Sequence, residues 1–227
     1  MKKRVFYTEL AYVLGILVLA VGTALMERAD FGVSMVVAPA YILHLKVSQF
    51  LPFFSFGMAE YTFQASLLIA MMIVIRRARL SYLFSAVSAV AYGFVLDGAI
   101  SLIAILPLDA FAVRLIIYTV GMLLCSFGVA LLFHTYLPPA AYELFVKEVS
   151  ARFGADIHKF KTVYDCVSCI VAVAMSFLFF GLWQFEGIYY GTVVCALLNG
   201  TLIALFSKLI NRFWSFEDGL KLKKYFS

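Results

Sequence analysis

The sequence predicts an all-α polytopic membrane protein, with six transmembrane helices arranged as two inverted three-helix repeats. Hydrophobic residues make up 64% of the 227-residue chain, and only 14% of its residues are charged. Soluble domains are roughly half apolar, so this composition excludes that class. Apolar runs of about 20 residues, long enough to cross a hydrocarbon core of roughly 30 Å, recur along the chain. A residue pattern near the N-terminus returns in the middle of the sequence, which predicts the repeat.

The repeat depends on six residues that recur at a constant shift of 106 positions. They are Tyr12, Gly15, Leu17, Gly22, Ala24 and Leu25, which return as Tyr118, Gly121, Leu123, Gly128, Ala130 and Leu131. Fainter matches follow in the same order, Glu60-Tyr61 with Tyr164-Asp165 and Tyr92-Gly93 with Asn199-Gly200. Because the start of the second copy lies three spans after the start of the first, the second copy enters the membrane from the opposite side. Inverted repeats of this kind are found in many transporters, whose binding site lies at the repeat interface.

In the first half, the initial apolar span is expected at 5–26 and ends at a polar break, Glu27-Arg28-Ala29-Asp30. The next apolar segment, 33–45, is about 13 residues long, which is too short to cross a bilayer. We expect it to form a re-entrant or interfacial helix. Two further apolar runs predict spans at 56–75 and 82–105, which are separated by a cluster of arginines.

The second half follows the same order, with spans expected at 112–133, 163–183 and 188–210. Its short helix, 138–153, begins at two prolines, which a helix start tolerates because their missing N–H would be unpaired there. The apolar residues of this helix follow helical spacing. Opposite them lie the charged residues Glu143, Lys147, Glu148 and Arg152. That charged face favours an interfacial position, with the two glutamates in water.

Basic residues determine the predicted orientation. With the N-terminus in the cytoplasm, 15 of the 18 lysines and arginines lie on the cytoplasmic side, and only Arg28, Lys46 and Arg114 lie outside. This bias follows the positive-inside rule, so both termini are expected in the cytoplasm. The net charge of +5 is therefore an orientation signal, and no nucleic-acid partner is expected.

One integral membrane domain, 1–227, accounts for the whole chain. Repeat 1 covers about 5–105 and repeat 2 about 112–210. The remaining tail, 211–227, mixes aromatic and basic residues, a composition that binds the headgroups of the cytoplasmic leaflet. The expected location is the plasma membrane of a bacterium, and the lipid bilayer is the first expected partner.

The repeated glycines are candidates for close helix packing. Gly15 and Gly22 are seven residues apart, as are Gly121 and Gly128, so each pair lies on one helix face. Helix association in lipid relies on close backbone contact, which small residues permit. We expect these glycines to pack the leading helices of the two repeats, and the same contact to act as a pivot if one repeat moves against the other.

Polar residues within the spans are the candidates for a solute or proton path: Glu60, Gln64, Tyr92, Asp97, Asp165 and Asn199. A charge in hydrocarbon is costly unless it is compensated, so such residues are usually functional. Asp97 is predicted to lie deep in its span, where a carboxylate needs a partner, a proton or a watery cavity. Glu60 is expected near the outer end of its span, either in this path or simply wet. Asn199 suits an interhelical hydrogen bond equally well.

Lys161 and Asp165 are spaced as an i,i+4 ion pair, which we expect at the water interface where the fifth span begins. Cys166-x-x-Cys169 has the spacing of a metal site, but no second pair or histidine accompanies it, so packing is the preferred interpretation. The chain contains no Ser-His-Asp grouping, His-Glu-x-x-His motif or glycine-rich phosphate loop. Neither an enzymatic activity nor a cofactor is predicted.

Several motifs resemble those of a bacterial membrane protein family. They are the Gly-x6-Gly-x-Ala-Leu start, Phe31-Gly32-Val33-Ser34, Lys161-x-x-Tyr164-Asp165, and Glu186-Gly187 followed by Asn199-Gly200-x-x-Ile203. Over nearly its whole length the chain is similar to the YczE/YyaS/YitT-like integral membrane proteins. This resemblance implies a bacterial plasma-membrane protein of several spans, and it transfers no substrate or site. Pro138-Pro139 is followed by Ala140-Ala141, where the family pattern has a more polar stretch.

These observations favour a secondary transporter for a small anionic or polar solute, bound in a midplane cavity between the two halves. Proton coupling through Asp97 is part of this hypothesis, and helix N-termini near Ser34 and Ala140 would face an anionic group. Two alternatives remain, a non-transporting accessory or regulatory protein and a small channel formed by a homodimer. A water-accessible cavity between Asp97 and Asn199 favours transport, whereas a dry core with an exposed apolar groove favours the accessory role.

Overall fold

The computed structural model describes residues 4–77, 79–108 and 110–220, apart from the side chains of Leu80, Ser81 and His158. These residues form eight helices and two short strands, and the predicted all-α fold with six long apolar helices is confirmed. The elements are β1 Arg4–Tyr7, α1 Thr8–Ala29, α2 Ala38–Val47, α3 Phe56–Ile75, α4 Leu80–Ile103, α5 Phe111–Phe133, α6 Ala141–Phe153, α7 Ile157–Phe180, α8 Tyr190–Phe213 and β2 Trp214–Glu217. The chain is therefore a multi-pass membrane protein whose helices contact the bilayer.

The largest difference from the predicted boundaries is at α7, which begins at Ile157 and not near position 163. The Asp156 carboxylate accepts a hydrogen bond from the backbone N–H of Lys159 (2.9 Å), which helps to start the helix earlier. Charged residues in this first part of α7 therefore belong to the helix. A hydropathy pattern assigns them to the preceding loop.

The two strands were not predicted. β1 pairs with β2 in parallel, and Phe6 packs against the rings of Trp214 and Phe216. The first part of the aromatic tail thus binds the N-terminal segment of the chain, and both ends of the described chain lie at one face of the bundle. The predicted leaflet contacts of Lys221, Lys223, Lys224, Tyr225 and Phe226 lie outside the described residues, as do Lys2 and Lys3, which were predicted on the cytoplasmic side.

α1 and α5 form the most extensive contact between two helices of the described chain. A Cβ added to Gly22 would lie 2.8 Å from the carbonyl oxygen of Gly121, and one added to Gly128 would lie 2.9 Å from the carbonyl oxygen of Gly15. Because residue numbers rise along one helix as they fall along the other, α1 and α5 are antiparallel. All four glycines of the sequence pattern thus lie at this contact.

The packing of the first four helices recurs in the last four. α1 packs on α4 as α5 packs on α8, and α3 packs on α4 as α7 packs on α8. The short helices connect the halves, since α2 contacts both α3 and α7, and α6 contacts both α7 and α3. The equivalent helices are α1 and α5, α2 and α6, α3 and α7, and α4 and α8. Exchanging each helix with its equivalent turns every contact named here into another of them.

The short helix α6 lies alongside α3 rather than across the end of the bundle. The Ala141 N–H donates to Gln64 Oε1 (3.0 Å), and the Arg152 guanidinium donates to the carbonyl of Ile75 (3.2 Å). Gln64 is eight residues, or about 12 Å, from the start of α3. This position favours the re-entrant alternative for α6. The expectation that Glu143 faces water is wrong, because α3 and α7 cover it and leave only 3% of it exposed.

Polar side chains hold the segments that lead into the short helices. Before α6, the hydroxyls of Ser85 and Ser88 donate to the carbonyls of Pro139 (2.6 Å) and Pro138 (3.2 Å). Before α2, the Thr192 hydroxyl donates to the Val33 carbonyl (2.9 Å). Irregular backbone at membrane depth is tolerated only when the protein satisfies its polar groups, and these bonds do so.

Replacing Gly22 or Gly121 by alanine is expected to destabilise the protein, because each new Cβ would lie 2.8 Å from a backbone atom of the facing helix. Overpacking of this kind costs about 1–3 kcal/mol. Thermal unfolding in detergent measures the effect. Gly98→Ala is the matched control, since a Cβ at Gly98 would meet nothing within 4 Å. Equal melting temperatures for all three variants would contradict the assignment of this contact.

Candidate functional site

A small cavity lies between the two halves of the bundle. Its water-accessible volume is ≈ 20 Å³, enough for one or two water molecules. All eight helices, or the segments that immediately precede them, contribute to its wall. The polar side chains that line it are Thr23, Ser34, Gln64, Tyr92, Tyr142, Glu143, Lys161 and Asn199. The two short helices both begin at this cavity.

The first polar network joins α3 to α6. Gln64 Nε2 and the Tyr142 hydroxyl both donate to Glu60 Oε2, each at 3.1 Å. Gln64 Oε1 accepts in turn from the first N–H of α6. Glu60 has no exposed surface. Of its two predicted environments, a place in the solute or proton path and contact with water near the surface, the second is therefore excluded. Its other oxygen, Oε1, has no hydrogen-bond partner among the described residues.

The second polar network joins α7, α8 and α5. Lys161 Nζ lies 2.8 Å from Asp165 Oδ1, and both side chains are at most 1% exposed. Asn199 Nδ2 donates to Asp165 Oδ2 (3.3 Å), and the Ser126 hydroxyl donates to Asn199 Oδ1 (2.8 Å). The i,i+4 pair exists, but its expected place at the water interface is wrong. The early start of α7 places both residues inside the bundle.

Glu143 is a third buried carboxylate, and sequence reasoning missed it. Burial raises the pKa of Glu143, and attraction to the neighbouring Lys161 opposes that rise. Its Oε2 atom has no hydrogen-bond partner among the described residues. One signal was present in the sequence, because Glu143 follows two prolines at a helix start, where a carboxylate is favoured by the helix dipole.

Tyr92 reaches across the cavity from α4 to α1. Its hydroxyl lies 3.0 Å from Thr23 Oγ1, and the Thr23 hydroxyl also contacts the thiol of Cys125 on α5 (3.7 Å). Thr23 and Cys125 were not predicted as site residues, because a single threonine or cysteine in an apolar helix is unremarkable in a sequence. Tyr92, in contrast, was among the predicted residues and lines the cavity.

Asp97 does not lie deep in its span, and the structure places it outside the lining of the cavity. It lies less than two turns before Ile103, where α4 ends. Its carboxylate accepts hydrogen bonds from the Ser55 hydroxyl (2.6 Å) and the Gly57 N–H (2.8 Å). Ser55 also caps α3 by accepting from the Met58 N–H. Asp97 therefore stabilises the start of α3.

Metal ligation finds no support in the described part of the chain, which contains no group of three or more His, Cys, Asp or Glu side chains placed to hold an ion. Cys166 and Cys169 are free and partly buried on α7. Cys125 is a free thiol in the cavity wall. It is therefore a natural position for a chemical probe.

Breaking the Lys161–Asp165 pair is expected to be strongly destabilising. Lys161→Met leaves Asp165 buried without its cation, which typically costs about 3–5 kcal/mol. The double variant Lys161→Met/Asp165→Leu removes both charges and should recover much of that loss. Arg79→Met is the matched control, because the Arg79–Glu148 pair is partly exposed and 3.8 Å long, and exposed pairs contribute about 0–1 kcal/mol. Denaturation in detergent measures the free energy of unfolding of each variant. Equal losses for Lys161→Met and Arg79→Met would contradict the buried pairing.

The capping role of Asp97 predicts energetic coupling between Asp97 and Ser55. Asp97→Ala and Ser55→Ala remove the same hydrogen bond, so the double variant should lose about 1 kcal/mol less than the sum of the two single losses. A double-mutant cycle of unfolding free energies measures this. Strict additivity would show that the two residues act separately.

The comparisons with known proteins identify a family but no characterised relative. No curated protein and no solved structure matches the chain. A family model matches residues 6–208, which include all six apolar spans except the last residues of α8. The protein is therefore a member of DUF6198, a family of unknown function.

Proposed function

We propose that this protein is a secondary transporter for a small polar solute, with the solute bound in the cavity between the two halves. The observation that carries this proposal is a small cavity between the halves, which has eight polar side chains in its wall and contributions from all eight helices or the segments that precede them. Transporter binding sites typically lie near the bilayer midplane, where interrupted or short helices begin. Here α2 and α6 both begin at the cavity, beside the buried ion pair of Lys161 and Asp165.

The proposal includes an inverted relation between the halves. It is supported by the antiparallel contact of α1 with α5 and by the equivalent packing of each helix in the two halves. Two inverted halves give a protein two equivalent arrangements, which open the site to opposite sides in turn. The glycine contact between α1 and α5 is the proposed pivot, because it brings backbone against backbone at the boundary of the two halves.

Orientation and family affiliation complete the proposal. We place both termini in the cytoplasm of a bacterium on the basis of the positive-inside bias, and the pairing of β1 with β2 supports a common side for the two ends. The proposed relationship to YczE/YyaS/YitT-like proteins rests on the similarity of the sequence motifs described above. A homodimer is predicted only by the alternative in which the protein is a small channel, and it stays a prediction.

Access to Cys125 distinguishes transport from the two alternatives. In a variant with Cys166, Cys169 and Cys195 replaced by serine, Cys125 is the single thiol and lies in the cavity wall. In liposomes of known orientation, we expect the membrane-impermeant reagent 2-sulfonatoethyl methanethiosulfonate to modify Cys125 slowly from either side. The reagent does not fit the closed cavity, so each reaction reports an opening.

The matched control for this experiment is Leu182→Cys in a background without the four native cysteines. Leu182 is 79% exposed in the connection between α7 and α8, so its thiol should react rapidly from one side only. A Cys125 thiol that never reacts would support the accessory role and refute transport. A Cys125 thiol that reacts from both sides as fast as the control would indicate an open channel.

A further inference from the structure

The cavity and its two polar networks contain more negative than positive charge. Three carboxylates, those of Glu60, Glu143 and Asp165, are at most 3% exposed. Lys161 is the one buried lysine or arginine among the described residues, and it is paired with Asp165. A buried ion without compensation is very unfavourable, so the remaining negative charge needs a partner.

The helix dipoles supply part of the positive charge that compensates the carboxylates, but not all of it. A helix N-terminus carries about half of a positive elementary charge, so α2 and α6 together contribute about one. Lys161 contributes one more, against three carboxylates. With all three carboxylates ionised, about one negative charge is left without compensation, which is the charge that one monovalent cation or one proton would balance.

Two buried carboxylate oxygens that lack hydrogen-bond donors indicate where this positive charge would bind. Glu143 Oε2 and Glu60 Oε1 are buried hydrogen-bond acceptors without a donor among the described residues. Glu143 lines the cavity directly, and Glu60 is bonded to Gln64 and Tyr142, which also line it. A ligand that satisfies these acceptors must donate hydrogen bonds. A protonated amine does so and carries the missing charge.

Aromatic side chains in the same wall suit a cation. Tyr92 and Tyr142 both line the cavity, and aromatic rings attract ammonium groups, most strongly where water is excluded. Anionic solutes, in contrast, would enter beside Glu143, and Lys161, the cation in the same wall, is already paired with Asp165. The two helix N-termini alone do not offset the repulsion from Glu143.

From this balance we propose that the cavity is a binding site for a small organic cation with a protonated amine, and that Glu143 is its principal acceptor. This inference rests on the proposed function and specifies the class of solute. In the closed state, a volume of ≈ 20 Å³ admits only a very small ammonium compound. Methylammonium is therefore the appropriate probe.

Thermal unfolding of the purified full-length protein in detergent tests the proposal. Three probes of two or three non-hydrogen atoms and different charge are compared at constant pH and ionic strength: methylammonium, formate and neutral methanol. Methylammonium is expected to raise the melting temperature in a saturable manner, because a ligand that binds only the folded state stabilises it. Formate and methanol are expected to have no such effect.

Glu143→Gln is expected to weaken the apparent affinity for methylammonium by at least about tenfold, the equivalent of one charge-assisted hydrogen bond. Glu148→Gln is the matched control, because Glu148 lies on the same short helix but pairs with Arg79 and does not line the cavity. The comparison of the three probes on the unaltered protein needs no variant, so the proposal is tested even if Glu143→Gln fails to fold.

The outcomes separate this inference from the proposed function. Stabilisation by formate instead of methylammonium would overturn the cationic solute and leave transport intact. A melting temperature that depends on pH but on none of the three probes would also overturn it, because protons alone would then balance the charge. If methylammonium binds but Cys125 never becomes accessible, the binding site stands and transport fails. Uptake of labelled methylammonium into liposomes, reduced by Glu143→Gln and unchanged by Glu148→Gln, supports both.

Discussion

The rest of the structure depends on one constraint, the need to satisfy every buried polar group within the protein because hydrocarbon offers no hydrogen bonds. The chain before α6 is irregular, and two α4 serines donate hydrogen bonds to the buried carbonyls of its two prolines. The start of α6 in turn gives an N–H to Gln64. Without these partners two short helices would not stay at membrane depth, and the bundle would have no polar interior.

The same constraint explains why the leading helices of the two halves are lined with glycine. Side chains from both helices, among them Thr23 and Cys125, line the cavity. α1 and α5 meet backbone against backbone, since Gly22 and Gly121 leave no space for a Cβ. Helix association in lipid gains most from such close packing. The glycines thus allow α1 and α5 to approach closely beside the cavity.

Hydropathy and spacing predicted the helices well, because span length and apolar composition are properties of each segment alone. They predicted charged positions less well. Lys161 and Asp165 were assigned to water because a sequence does not show that a pair lies within α7 against α8. Glu143 was assigned to a wet face, although α3 and α7 cover that face. The depth predicted for Asp97 did not take account of its bond to Ser55, which is 42 residues away in the chain. The burial of Glu143 and the capping role of Asp97 depend on tertiary contacts, and the position of Lys161 depends also on the early start of α7.

The two polar networks differ in how they respond to movement between the halves. Lys161, Asp165, Asn199 and Ser126 all belong to the second half, so rocking of one half against the other leaves their bonds in place. Glu60 belongs to the first half, and its hydrogen-bond donor from the second half is Tyr142. Opening the cavity along this boundary therefore removes a donor from Glu60 and admits water in its place. In the proposed cycle, Asp165 therefore keeps a constant environment, whereas the environment of Glu60 changes with access to the cavity.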